Sequence, residues 1–141
     1  MKDFDNYFNF SVRNDAYEYL GSFLNGDTAT FRVWAPNAKA VSVVGDFNGW
    51  NDGANRMSRL DGGVWQAEIK GIENFTAYKY AITSPEGKVT LKSDPYARHY
   101  ETAPNNASKR YADDGYAWGD AAWVEGRRQK NTLEGPINIY E

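Results

Sequence analysis

A chain of 141 residues fits one domain with a short appendage, and its net charge of −3 excludes the basic footprint that a phosphate backbone requires. It has no cysteine, so disulfides and thiolate metal sites are excluded, and no apolar run approaches membrane-spanning length. Aromatic residues make up 16% (5 Trp, 10 Tyr, 7 Phe), enough for a core with rings to spare for a surface.

The N-terminal "MKDFDNYFNFSV" carries acids and lacks the apolar heart of a signal peptide, so a cytoplasmic protein is expected. Residues 11–24, "SVRNDAYEYLGSFL", suggest a short helix, with Asp15 placed to cap it, Tyr17 and Leu20 three apart, and Gly21 as a stop. From Asn25 the period changes to two. In "TATFRVWA", Ala29, Phe31 and Val33 alternate with Thr30, Arg32 and Trp34. A Pro36-Asn37 turn leads to "AVSVVGD", then an edge strand is expected around Met57–Leu60, followed by the turn Asp61-Gly62-Gly63. "VWQAEIK" sets Trp65, Ala67 and Ile69 against Gln66, Glu68 and Lys70. "AYKYAIT" sets Tyr78, Tyr80 and Ile82 against Lys79, Ala81 and Thr83. Pro85–Gly87 turns the chain into "KVTLK", which "SDPYA" ends.

Six or so short alternating strands joined by polar turns predict an all-β fold, an immunoglobulin-like antiparallel sandwich with one wet face per sheet. The expected organisation is a lead-in with a short helix over 1–24, the sandwich over 25–119 and a polar linker over 120–135. Strand-like alternation through Ile137 and Ile139 resumes over 136–141, so the chain reads as a fragment whose next domain is missing.

No catalytic constellation is found. The single histidine, His99 in "YARHYE", reads as a solvated loop residue, and neither a histidine metal cluster nor a Ser/His/Asp triad can be argued. Paired carboxylates about 5–10 Å apart in a cleft are not suggested either, because the acids fall in turns or on wet strand faces. The glycines form no phosphate-binding loop, and "GRRQK" at 126–130 reads as a solvated or docked basic run. No cofactor, metal, nucleic acid or membrane partner is expected.

What remains unusual is Trp50 in "VSVVGDFNGWNDGANRM", residues 41–57, a large ring among turn-forming Asn48, Gly49, Asn51 and Asp52. Three readings stand for it: a platform for a sugar, a ring folded over its own sandwich, or a ring pressed on a neighbouring domain. A ring suits a pyranose because the sugar's C–H face is apolar while its hydroxyls need hydrogen bonds at the rim. Covering roughly 100 Å² at about 25 cal/mol/Å² provides at most ~2.5 kcal/mol before ordering costs. Such a site is weak, near millimolar, and gains from a polymer with many equivalent sites. Trp65, Tyr78 and Tyr80 read as core. Trp34 is expected to pack under a loop, and Trp118 and Trp123 to anchor the connector or a following domain. Asn48 and Asn51 read as turn chemistry first and rim hydrogen bonding second.

"FRVWAPNAKAVSVVGDFNGWN", "GVWQAEI", "YKYAIT" and "LKSDPYA", in this order, resemble the family 48 carbohydrate-binding modules that precede the catalytic barrel of glycogen branching enzymes and their relatives. The flanks "AYEYLG" and "PINIYE" resemble those of 1,4-α-glucan branching enzymes specifically, where the latter opens the first barrel strand. The resemblance implies a non-catalytic α-1,4-glucan (glycogen, maltodextrin) binding module, with the catalytic barrel of the same full-length chain as its partner. A module that only packs on and orients that barrel is the alternative. By similarity to the glycogen-binding domain of the AMP-activated kinase β subunit, Trp50 corresponds to a sugar-stacking tryptophan and Lys79 to a sugar-binding lysine. Asn106 and Ser108, in "PNNASKRY", fall where further polar contacts are implied. The second tryptophan of that relative has no counterpart in "EGKVTLK", where no ring lies near Val89.

Overall fold

The computed structural model describes residues 15–112, 117–130, 135 and 138–141. Nine strands are described: β1 (Gly21–Asn25), β2 (Thr28–Trp34), β3 (Ala40–Gly45), β4 (Ser58–Arg59), β5 (Val64–Lys70), β6 (Ala77–Thr83), β7 (Val89–Lys92), β8 (His99–Tyr100) and β9 (Ser108–Lys109). They form two antiparallel sheets. One runs β1-β2-β5-β4; the other runs β3-β6-β9-β8, with β7 also paired to β6.

The alternation dictates the core. Ala29, Phe31 and Val33 of β2 face Val41 and Val43 of β3 and Tyr78 and Tyr80 of β6, all buried in one cluster with Trp65 and Ile69. Phe31 and Tyr78 meet edge to face at 4.9 Å. Register follows from this pattern, because a slip of one residue would turn every apolar side chain of a strand to the wet side. Segment 55–59 links the layers. The Val43 N–H donates to Asn55 and the Met57 N–H to Val41, after which Ser58–Arg59 pairs with β5.

Three expectations are revised. Of the helix expected over 11–24, residues 11–14 lie outside the described part, and the rest holds one 3-10 turn, Ala16–Glu18. Asp15 makes no capping bond from its side chain, and Gly21 opens β1 rather than stopping a helix. Pairing with β2 overrides the weak helical pattern, placing Ser22 opposite Phe31 and Leu24 opposite Ala29. The expected connector contains a helix, α1 (Ala121–Gln129), with Arg127 stacked 5.0 Å over the Trp123 ring. His99 is exposed, as expected, yet lies in β8 rather than a loop. Of the final segment, Pro136 and Ile137 fall outside the described residues, and Ile139 and Tyr140 are exposed without regular structure.

Trp65 is buried, its indole N–H donating to the Ala35 carbonyl at 3.0 Å. Trp34 is 52% exposed, with its indole N–H bonded to the Gly62 carbonyl, so it lies against a turn rather than under it. Trp118 and Trp123 are both exposed.

Candidate functional site

β3 ends at Gly45, which pairs with Tyr78 of β6. A Cβ there would stand 2.3 Å from the Ala77 carbonyl oxygen and 2.6 Å from the Phe47 ring, so only glycine fits. The chain then makes a 3-10 turn, Asp46–Asn48, and continues through Gly49 and Trp50, both left-handed with φ of 62° and 59°. For tryptophan this conformation costs about 1–2 kcal/mol. The loop over-determines it. Trp50 donates its backbone N–H to Gly45 and its indole N–H to the Asp46 carboxylate at 2.9 Å. The ring is therefore held in place while 37% exposed.

Asn48 explains why the loop is firm. Its Oδ1 accepts the Gly45 N–H at 3.0 Å, and its Nδ2 donates to the Val43 carbonyl and to Asn55 Oδ1 at 2.9 and 2.8 Å. Both hydrogens of the amide are thus engaged inside the loop, so Asn48 shapes the platform and has no free donor for a rim contact. Asn51 accepts the Gly53 N–H at 2.9 Å, the expected turn chemistry.

Beside this loop lies the outer face of the second sheet. Tyr78 and Tyr80 point inward, so Lys79, paired with Val44, points outward. Its ammonium donates to the Asn106 side-chain carbonyl, and the Ser93 hydroxyl holds the Asn106 backbone carbonyl. The fold thus brings together Lys79 and Asn106, which lie 27 residues apart in sequence, beside the strand end that carries Trp50. Ser108 is different. It is fully buried, its Oγ accepting the Asp94 N–H at 2.8 Å, so no surface ligand can reach it. Its resemblance-based assignment as a contact residue is corrected on that ground.

Two residues were missed by sequence reasoning. Leu91 pairs with Ala81 and Val89 with Thr83, which puts both on the face of Lys79. They are 46% and 43% exposed and supply aliphatic surface where the resemblance left a missing ring. The alternation of "KVTLK" carried that signal, but only the β6–β7 register says which face is meant.

Behind this face sits a buried polar network. Tyr78 and Tyr80 both donate to Asp94 Oδ2, at 2.7 and 3.1 Å, while Oδ1 accepts the Tyr96 N–H at 2.8 Å. The Tyr100 hydroxyl donates to the Asp94 carbonyl at 2.6 Å. Burial pushes both inner phenols well above the usual tyrosine range, and the Asp94 charge adds to the shift. Burial also raises the Asp94 carboxyl, against the hydrogen bonds that lower it. With all three side chains 0% exposed, the network pins the segment after β7 to the core and meets no substrate.

Among the described residues, no cluster of three or more His, Asp or Glu could hold a metal, and no helix is long and apolar enough to cross a membrane. A cavity of about 360 Å³ lies along β5, lined by Asn55, Arg56, Gln66 and Glu68 among others; it includes none of the candidate residues.

Comparison with known proteins agrees with this architecture. The chain is 42% identical over 130 residues to the 1,4-alpha-glucan branching enzyme GlgB of Marinobacter nauticus, covering 89% of this chain and 21% of that protein. It is 39% identical over 142 residues to the GlgB of Lactiplantibacillus plantarum, covering 100% of this chain and 22% of that one. The chain thus spans about a fifth of the length of these relatives. Among solved structures, a Klebsiella pneumoniae pullulanase complexed with maltotriose shares the fold with a TM-score of 0.54 and 28% identity, over 69% of this chain and 10% of that one. A putative alpha amylase from Salmonella typhimurium aligns with a TM-score of 0.58 and 23% identity, over 74% and 17%. The model of Carbohydrate-binding module 48 (Isoamylase N-terminal domain) matches residues 18–97, more than half of the chain and most of both sheets, and the chain belongs to that family.

Proposed function

We propose that this chain is the non-catalytic, α-1,4-glucan-binding module of a 1,4-α-glucan branching enzyme, and that glycogen or maltodextrin lies across Trp50 and the adjoining sheet face. The carrying observation is the Trp50 indole, held half-exposed by Asp46 in a loop that Asn48 braces from beneath. A sugar stacked there finds the Lys79–Asn106 pair as hydroxyl partners and Leu91 as further apolar surface. The names of the relatives support the parent reaction, transfer of a glucan segment into an α-1,6 branch. The carboxylates for that chemistry belong to a barrel outside this chain.

Stacking one pyranose on about 100 Å² of ring yields at most ~2.5 kcal/mol, short of the roughly 4 kcal/mol that 1 mM requires, so stacking alone is weaker than millimolar and function depends on rim hydrogen bonds and tethering. Affinity electrophoresis through glycogen or amylose tests this. The chain should be retarded, and Trp50→Ala should lose most of the retardation with an unchanged melting curve. A chain that migrates freely through glycogen would remove the binding reading. A second reading, a module that orients the barrel without binding glucan, is favoured by the prior engagement of the Trp50 and Lys79 nitrogens within the module.

A further inference from the structure

We propose that Phe75, His99 and Tyr111 form a second glucan platform, across the sheet face that carries Lys79 from the Trp50 loop. This rests on the glucan reading above and extends it to a second subsite.

The three rings form a cluster: Phe75 to His99 at 5.2 Å and edge-on, Phe75 to Tyr111 at 5.5 Å, and His99 to Tyr111 at 6.0 Å. The packing does not bury them. Phe75 stays 52% exposed and His99 is exposed as well. Phe75 also sits at φ 64°, a left-handed conformation that asparagine or glycine would adopt more easily. Its backbone is held there by its own N–H bonded to Arg110 at 2.7 Å and by the Arg110 N–H bonded to Thr76 at 2.9 Å. For folding alone, a strained residue with a half-exposed ring is a poor choice, and such outliers gather at functional positions.

The register puts His99 on the candidate face, and its ring contacts bring Phe75 and Tyr111 beside it. Ala77 points outward with Lys79, Lys109 pairs with Ala77, and His99 pairs with Lys109. Phe75 lies just before β6 and Tyr111 just after β9, both in ring contact with His99. Polar groups suited to hydroxyls flank the rings. The Lys109 ammonium has no hydrogen bond or ion pair among the described residues. The Asn74 carbonyl is held by the Arg110 guanidinium and the Ala112 N–H, leaving the Asn74 amide hydrogens without an acceptor there. Rings with N–H donors at their edge match the apolar C–H face and equatorial hydroxyls of a pyranose. β8, which carries His99, lies three strand spacings from β3, which leads into the Trp50 loop, about 14 Å across the sheet, so a short oligosaccharide covers one platform and a long chain covers both.

The test is calorimetric titration of this chain with maltotriose and with a long maltodextrin, using wild type, Trp50→Ala, Phe75→Ala and Phe75→Asn, each checked by thermal melting. Asparagine suits the left-handed backbone, so Phe75→Asn removes the ring without adding strain. Both Phe75 variants should weaken the long glucan about five- to tenfold and maltotriose less than twofold, whereas Trp50→Ala weakens both. Long-chain affinity unchanged in both Phe75 variants overturns the second platform and leaves the Trp50 site standing. Equal loss for both lengths also overturns it, because the ring would then be supporting the first site. No binding by the wild type removes both readings together.

Discussion

Two buried phenols that share one carboxylate make the alkaline limb of stability a direct probe of the core. Tyr78 and Tyr80 are 0% exposed and both donate to Asp94 Oδ2. Their raised pKa values, from burial first and the Asp94 charge second, keep them protonated in the folded chain where unfolded tyrosine ionises near pH 10. A group whose folded pKa is raised holds its full stabilisation below the unfolded pKa. That stabilisation is lost as pH rises above it toward the folded pKa. Each phenol then removes about 1.4 kcal/mol per pH unit, so the pair removes roughly 2.7 kcal/mol per unit. Against a domain stability of about 5–15 kcal/mol, two units above pH 10 consume much of the total. Urea titrations at about pH 8, 10 and 11, followed by tryptophan fluorescence, measure the slope, and phenolate absorbance counts the tyrosines that resist ionisation. Tyr78→Phe should halve the slope and cost about 1–3 kcal/mol at neutral pH, because Asp94 loses its 2.7 Å donor. A flat stability profile across pH 10, or native phenols that all titrate near 10, would refute the network as described.

Two further predictions concern the Trp50 loop. Gly45→Ala should destabilise by about 3 kcal/mol, since its Cβ would meet the Ala77 carbonyl at 2.3 Å and the backbone there is fixed by pairing; an unchanged urea midpoint would contradict the packing. Asn48→Ala should cost about 2–3 kcal/mol by leaving the Gly45 N–H and Val43 carbonyl unpaired. It should also speed amide exchange at Trp50 and lower glucan retention, whereas retention at the wild-type level in a floppy loop would show that the preset ring orientation is irrelevant.

Much of the sandwich was legible because its signal is local. Alternation in "TATFRVWA" and "AYKYAIT" states which side of each strand is apolar, and burial then turns Phe31, Val33, Tyr78 and Tyr80 inward. The turn at Asn48–Asp52 was equally readable, since its residues act on backbone a few positions away. Where the reading failed, distant partners decided. Residues 21–25 carry no strong strand pattern and become β1 only because β2 lies alongside, and the two-residue β8 and β9 are too short for any periodicity to show.

The candidate site divides along the same line. By itself the sequence determined that Trp50 occupies a turn, that Lys79 lies opposite the core residues of its strand, and, by resemblance, which chemistry to look for. Tertiary structure alone decided that Lys79 meets Asn106 from 27 residues away, that Ser108 is sealed against Asp94, and that Val89 and Leu91 share the face where a second ring was missing. The physical reason is that residue type and period report the conformation of a segment, whereas contact across strands depends on register, which emerges only when both sheets close over one core.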